Sequence, residues 1–111
     1  MKSGNMKAEG HIHLIMYDIT HDRALQKVAR LMEKNGYERL NYSVWYGLAD
    51  PVRNVELSGR LKKLLNTEEA LGSRMYFLKI SLKDFEKMRT FDGKKIKEME
   101  YWTGRLKTMF I

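Results

Sequence analysis

The 111-residue chain contains no cysteine and a single proline. Without thiols it forms neither disulfides nor thiolate metal sites, and a reducing cytoplasm is the compartment that this composition favours. Long apolar runs are also missing, since the segment 12–17 is too short to span a bilayer, and the polar residues 1–10 are not typical of a signal peptide. We therefore expect a cytoplasmic protein with no membrane association, of a length that suits one small domain.

The chain has fewer acidic than basic residues. The chain has 14 Asp and Glu against 21 Lys and Arg, which gives a net charge of +7. A small basic domain often binds nucleic acid or another anionic surface. Charge alone leaves nucleic-acid binding and an ordinary basic surface equally open.

The hydrophobic pattern predicts alternating strands and helices. An apolar strand at 12–17 precedes a helix at 22–34, for which Thr20 is the predicted N-cap and Asn35-Gly36 the stop. Two short strands at 38–41 and 44–48, a helix at 53–65 and a strand at 75–82 follow. The order β-α-β-β-α-β predicts an α+β, ferredoxin-like sandwich, with an antiparallel sheet and both helices on one face.

This reading divides the chain into a flexible lead at 1–10, a core at 11–82 and an extension at 83–111. The extension holds a predicted short helix at 84–88, a possible strand near 90–92 and an amphipathic tail. Large apolar residues in the tail predict docking on the sheet, on a second copy or on another protein. They are Tyr101, Trp102, Leu106, Met109 and Phe110.

Asp18 ends the first apolar strand, where a rigid element presents a side chain to a ligand. Hard cations such as Mg²⁺ often take only one or two protein carboxylates, and a two-fold dimer supplies a pair from one residue. The alternative is local, because an Asp before a helix also accepts hydrogen bonds from backbone N–H groups. Position alone favours this second interpretation.

The three histidines give weaker signals. His11 and His13 lie on one strand face, but the sequence has no third ligand at a spacing that would indicate a zinc site. His21, three residues after Asp18, has a side chain that can transfer protons near neutral pH. A solvated histidine at the helix start is the simpler interpretation.

A basic stripe runs along the first helix, and Arg39 follows on the next strand. Such a stripe can follow phosphates, although a solvated helix face is an equal alternative. Its helical members are Arg23, Lys27, Arg30 and Lys34. The aromatic segment 42–47 can stack on bases, but core or dimer interface is its commoner role. Ser43 has no His and Asp arrangement typical of a serine nucleophile.

Three segments together resemble one family. They are 16–20 (MYDIT), 27–29 (KVA) and 36–47 (GYERLNYSVWYG). In order and spacing, over residues 11–82, they resemble the small CRISPR-associated adaptation protein, Cas subunit two. That family has a strand ending Tyr-Asp-Ile and an Arg-x-Gln-x-Ser-Val-Phe segment after a glycine.

The resemblance implies a ferredoxin-like homodimer with Mg²⁺ or Mn²⁺ held between protomers at Asp18. It implies a metal-dependent endonuclease acting on RNA or DNA, with Tyr17, Ser43 and Arg39 beside the metal ligand. It also implies partnership with the integrase subunit, Cas subunit one, in acquiring spacers from foreign DNA. Duplex DNA and single-stranded RNA are the implied nucleic acids, and Arg23, Lys27, Arg30, Lys34 and Arg39 are the candidate contacts. Tyr101, Trp102, Met109 and Phe110 are the candidate docking residues.

Departures from the family pattern keep two alternatives open. Trp45 replaces the usual Phe and Asn41 the usual Gln, while Leu25 and Lys27 stand where many members carry arginine. Arginine binds phosphate in a bidentate manner that lysine cannot reproduce. The alternatives are a non-catalytic DNA platform and a toxin-type ribonuclease of the related virulence-associated D family.

Overall fold

The computed structural model describes residues 10–91. Its strands are β1 (His11–Asp18), β2 (Glu38–Asn41), β3 (Val44–Gly47) and β4 (Arg74–Ser81), and its helices are α1 (Asp22–Lys34), α2 (Val55–Leu65) and α3 (Leu82–Glu86). A 3₁₀ turn, Glu68–Ala70, lies within the predicted loop between α2 and β4. In this part of the chain, no helix has the length and apolar character needed to cross a membrane.

The four strands form one sheet in the order β2-β3-β1-β4. β3 pairs antiparallel with β1 on one side, where Ile15 lies opposite Trp45, and with β2 on the other. This order and the alternation of strands with helices confirm the predicted ferredoxin-like α+β fold. It places the end of β1, with Asp18, next to the turn between β2 and β3.

One hydrophobic cluster joins one face of the sheet to the two long helices. Ile15 and Trp45 contribute from the sheet, Val28 and Met32 from α1, and Leu57 from α2, all at most 3% exposed. Ile12 and Leu14, which alternate onto the opposite face of β1, are also buried. β1 is therefore a central strand that is covered on both faces, as an apolar run without alternation indicates.

Tertiary contacts group Ile12–Lys79 into one compact unit. The other described residues, 10–11 and 80–91, belong to a second unit. In that unit the N–H of Leu82 donates to the carbonyl of Gly10 at 2.8 Å, and the Leu82 and Phe85 side chains are buried.

The predicted cap of α1 is wrong. The N-cap residue is His21, not Thr20, and its side chain makes no capping hydrogen bond. Ile19 is buried in the main core, so the chain continues in extended form beyond β1 before it turns into the helix. The predicted stop is confirmed: Asn35 is the C-cap, and Gly36 follows with φ +88°, a conformation that favours glycine.

The boundary after β4 also differs from the prediction. The strand ends at Ser81, whose Oγ accepts a hydrogen bond from the N–H of Asp84 at 3.0 Å and so starts α3 at Leu82. This serine cap was not recognised in the sequence. Thr90 and Phe91 are not in a strand, whereas position 92 and the apolar tail lie outside the described residues.

Candidate metal and nucleic-acid site

Asp18 is the last residue of β1, and its side chain is exposed. Its carboxylate forms no hydrogen bond or ion pair with another residue of the described segment 10–91. α1 begins four residues later behind His21, so Asp18 does not cap that helix. Within residues 10–91, no side chain therefore competes with a ligand for this carboxylate at the end of β1.

The neighbouring Tyr17 is a buried structural group. The indole Nε1–H of Trp45 donates to the Tyr17 hydroxyl at 2.9 Å, and both side chains are at most 5% exposed. The Tyr17 hydroxyl in turn lies 3.5 Å from the Tyr42 carbonyl oxygen, and the Tyr17 N–H donates to the Ser43 carbonyl at 3.1 Å. These bonds fix the end of β1, and therefore the backbone that carries Asp18.

Arg39 holds the turn between β2 and β3. Its Nη2 donates to the Tyr42 carbonyl at 2.8 Å, and its Cζ lies 5.1 Å from the Tyr42 ring centroid and 4.9 Å from that of Trp45. The Tyr42 N–H donates to the Asn41 Oδ1 within the same turn. The exposed Arg39 guanidinium is thereby oriented, and Ser43 is half-buried beside it.

The donor set suits a hard cation with few protein ligands. Across residues 10–91 no group of three or more His, Cys, Asp or Glu side chains is arranged to hold a metal. This excludes a closed zinc-type site within that segment. One carboxylate is compatible with a hard cation such as Mg²⁺ or Mn²⁺, because such ions often take only one or two protein carboxylates and complete their coordination with water and substrate phosphate.

The histidines lie apart from such a site. His21 Nδ1 is 3.6 Å from Glu69 Oε2, and Arg23 approaches the other oxygen of Glu69 at 3.9 Å. The first distance is too long for a hydrogen bond, so the pair attracts only when His21 is protonated. His11 is exposed, whereas His13 is half-buried and has a partner.

A basic groove lies between α1 and α2. Leu31 and Leu64 line it together with Thr67, and its volume is about 550 Å³. Five cations complete its lining: Lys27, Arg30, Lys34, Arg60 and Lys63. We call this set the helix groove. None of the five forms an ion pair with another residue between positions 10 and 91, so their charges are available to an anion.

The structure therefore divides the five predicted nucleic-acid contacts. Lys27, Arg30 and Lys34 lie together in the helix groove, whereas Arg23 pairs with Glu69 and Arg39 stacks beside Trp45. Arg60 and Lys63 were not among the contacts predicted from the sequence. Their i, i+3 spacing put them on one face of α2, but the pattern did not show that this face meets α1.

Comparisons with known proteins identify the family. The sequence profile described as "CRISPR associated protein Cas2" matches residues 11–88. The chain belongs to the Cas2 family. A CRISPR-associated endoribonuclease Cas2 1 from Archaeoglobus fulgidus is 32% identical over 57 residues, which are 51% of this chain and 61% of that protein. The match thus spans less than two thirds of this relative's length.

Solved structures agree on the Cas2 fold. A hypothetical protein from Thermus thermophilus superposes with a TM-score of 0.52 and 26% identity, over 64% of this chain and 82% of its own. Cas2 from Streptococcus pyogenes, crystallised at pH 6.5, has a TM-score of 0.57 and 21% identity, over 73% of this chain and 99% of its own. The family and the fold that the sequence motifs predicted are both confirmed.

Proposed function

We propose that this protein acts in CRISPR adaptation as a homodimer that binds nucleic acid and, together with the integrase subunit, captures new spacers from foreign DNA. We also propose that it is an endonuclease that depends on a divalent metal. Family membership supports the first proposal, and the relative named as an endoribonuclease supports the second. The observation that carries the catalytic proposal is the Asp18 carboxylate at the end of β1, which is exposed and has no hydrogen-bond or ion-pair partner among residues 10–91.

In this proposal Asp18 is the metal ligand, contributed once by each protomer. With Mg²⁺ or Mn²⁺ bound there, Asp18 would hold a Lewis acid able to polarise a phosphodiester and to lower the pKa of a coordinated water. Tyr17 and Ser43 hold the end of β1 and the adjacent turn, so that the carboxylate is presented from a fixed backbone. Arg39, already oriented by Tyr42 and Trp45, directs its remaining N–H donors to a phosphate oxygen.

The helix groove is the proposed binding surface for the nucleic-acid backbone. Five cations on two helices, none of them in an ion pair with another described residue, concentrate positive charge where phosphates can replace their counterions. Contacts of this kind give affinity without sequence preference. That property suits a protein that handles foreign DNA of any sequence.

Cleavage by an Asp18→Asn variant tests the catalytic proposal. We expect the wild-type protein to cut single-stranded RNA or DNA in Mg²⁺, and the variant to fall to the rate seen in EDTA. Asp22→Asn is the matched control, because Asp22 is another exposed carboxylate, in the first turn of α1. Equal cleavage by wild type and Asp18→Asn in Mg²⁺ would show that Asp18 is not a catalytic ligand.

The adaptation proposal has a separate test. The integrase subunit, a duplex protospacer and a repeat target are combined with wild-type or Asp18→Asn protein, and integration is measured. Integration by both proteins makes this chain a DNA platform whose nuclease activity is separate from adaptation. Integration by neither contradicts the proposed role, whereas integration by wild type alone shows that Asp18 is needed for assembly or chemistry.

The tail residues Tyr101, Trp102, Met109 and Phe110 are the proposed docking segment for a second copy or the integrase subunit. Removal of residues 95–111 is expected to weaken dimerisation or integrase binding, measured by light scattering and by pull-down with purified integrase subunit. Unchanged behaviour in both assays would contradict this assignment.

A further inference from the structure

Tyr42 presents an ordered aromatic ring at the end of the β2–β3 hairpin. Its side chain is 67% exposed, although its neighbour in the stack, Trp45, is only 3% exposed. The Arg39 guanidinium lies within cation–π distance of both rings, at 5.1 Å from Tyr42 and 4.9 Å from Trp45. The guanidinium therefore lies against both the Trp45 ring in the core and the exposed Tyr42 ring. We call these three side chains the Trp45–Arg39–Tyr42 stack.

The backbone under this ring is also fixed. The Tyr42 carbonyl accepts a hydrogen bond from Arg39 Nη2 at 2.8 Å and lies 3.5 Å from the Tyr17 hydroxyl, while its N–H donates to Asn41. A single exposed aromatic residue is ordinary on a protein surface. An exposed ring whose backbone and one stacking partner are both held in place is preorganised, so a ligand that stacks on it orders little that was free before.

The ring lies at the same end of the sheet as Asp18. The N–H of Tyr17, the residue before Asp18, donates to the carbonyl of Ser43, the residue after Tyr42, at 3.1 Å. A nucleotide whose phosphate approached a cation held by Asp18 would therefore have its neighbouring base close to the hairpin end. The base stacks only if it is unpaired, because a base inside a duplex already stacks on its neighbours.

We propose that the Trp45–Arg39–Tyr42 stack is a nucleobase-binding platform, on which an unpaired base of a single-stranded nucleic acid stacks against the Tyr42 ring. The proposal rests on the proposed nucleic-acid function. It adds a subsite that distinguishes single-stranded from double-stranded nucleic acid rather than one sequence from another. Every base has a π-face, so aromatic stacking tolerates all four bases. The positive charge in the stack favours nucleic acid over an apolar protein partner.

Equilibrium binding without cleavage tests the platform. Wild type, Tyr42→Phe and Tyr42→Ala are titrated in EDTA with single-stranded RNA and DNA oligonucleotides and with a duplex of the same length. Phe keeps a ring of the same size, whereas Ala removes it. Phe91→Ala is the control for loss of an exposed aromatic ring, because Phe91 is 98% exposed. Thermal unfolding of each variant establishes that it is folded.

We expect Tyr42→Ala to lose about 5- to 150-fold in single-strand affinity, as measured for removal of one base–aromatic stack. Duplex affinity stays unchanged, and Tyr42→Phe and Phe91→Ala bind like wild type. The position of the base is read with oligonucleotides that carry 2-aminopurine, whose fluorescence falls on stacking. The quenching is expected with wild type and Tyr42→Phe and is lost with Tyr42→Ala.

Two outcomes would overturn the platform while the proposed function stands: unchanged single-strand affinity of Tyr42→Ala, or an equal loss on single strand and duplex. Failure of the wild-type protein to bind any nucleic acid would overturn both. The relative affinities of single-stranded RNA and DNA identify which of the two is the ligand.

Discussion

At the scale of single residues, the hydrogen bond between Trp45 and Tyr17 best explains how the backbone that carries Asp18 is fixed. Phe, which the family pattern has at the position of Trp45, has no N–H to donate. Here the indole N–H meets the Tyr17 hydroxyl at 2.9 Å between two side chains that are nearly inaccessible to solvent. An unpaired polar group in such surroundings costs about 1–3 kcal/mol, so the two side chains depend on each other.

A double-mutant cycle measures that dependence. Trp45→Phe, Tyr17→Phe and the double variant are unfolded in urea and followed by circular dichroism. Because the double variant leaves no orphaned polar group, we expect it to lose less free energy of unfolding than the two single variants lose together, with a coupling of about 1 kcal/mol. A coupling of zero would mean that the two groups do not interact in solution.

Tyr37 gives a prediction on pH. Burial, and then the nearby Asp50 carboxylate, raise the pKa of Tyr37 from 10.0 to about 12. The folded state thus holds the phenol proton more tightly than the unfolded state. The resulting stabilisation is complete below about pH 10 and is lost as the pH rises toward 12.

The prediction compares Tyr37→Phe with wild type. At pH 8 the variant is less stable by about 1 kcal/mol, because the phenol no longer donates to the Ala49 carbonyl, a bond of 2.8 Å in the structure. Between pH 10 and 12 its stability falls less steeply than that of wild type, as measured by urea unfolding at each pH. Parallel pH profiles would contradict the raised pKa.

At the scale of elements, Gly47 and Gly59 differ in the space available for a side chain. Gly47 ends β3, and a Cβ at this position would collide with the Tyr37 ring. Gly59 lies within α2, where a Cβ would have no atom within 4 Å. The same substitution therefore has opposite expected effects at the two positions.

Gly47→Ala should destabilise the fold by about 1–3 kcal/mol through overpacking. Gly59→Ala should stabilise it by about 0.5–1 kcal/mol, because alanine has the better helix propensity. Thermal or urea unfolding of the two variants checks both values. A stabilising effect at Gly47, or a destabilising one at Gly59, would contradict the packing described for that element.

The elements were also what the sequence predicted best. The helical spacing of Val28 and Met32 predicts α1, and the apolar run of residues predicts β1. Both predictions succeed because each pattern is local. The cap of α1 was missed because burial of Ile19 outweighed the capping preference of Thr20.

Parts of the candidate site could not be read from the sequence in this way. The Trp45–Tyr17 bond joins residues 28 positions apart, and the helix groove exists only because α1 packs beside α2. These features arise from tertiary packing, on which hydrophobic periodicity carries no information.

At the scale of the whole molecule, the net charge of +7 is not evenly distributed. Part of it is concentrated in the helix groove, whose cations come from two helices, while Arg23 is paired with Glu69. Binding of a polyanion to such a groove releases counterions and so depends steeply on salt.

Lys63 and Lys62 test the groove as a matched pair. They are adjacent on α2 and carry the same charge, but only Lys63 lines the groove. We expect Lys63→Gln to weaken duplex DNA binding and to reduce the slope of log affinity against log salt by about 0.9. Lys62→Gln should change neither, in anisotropy titrations at several salt concentrations. Equal effects of the two variants would show that binding follows net charge instead.

Among the described residues the sheet ends at β4, and this edge has consequences for aggregation. β4 stands at the edge of the strand order, and Tyr76, Phe77 and Leu78 along it are 41–50% exposed. An edge strand of this kind offers unpaired backbone groups to any extended chain, whether a proper partner or a misfolded copy. Arg74 and Lys79, exposed on the same strand, place positive charge at this edge, and charged side chains at an edge discourage indiscriminate pairing. We therefore expect the basic character of this protein to oppose aggregation as well as to attract anions.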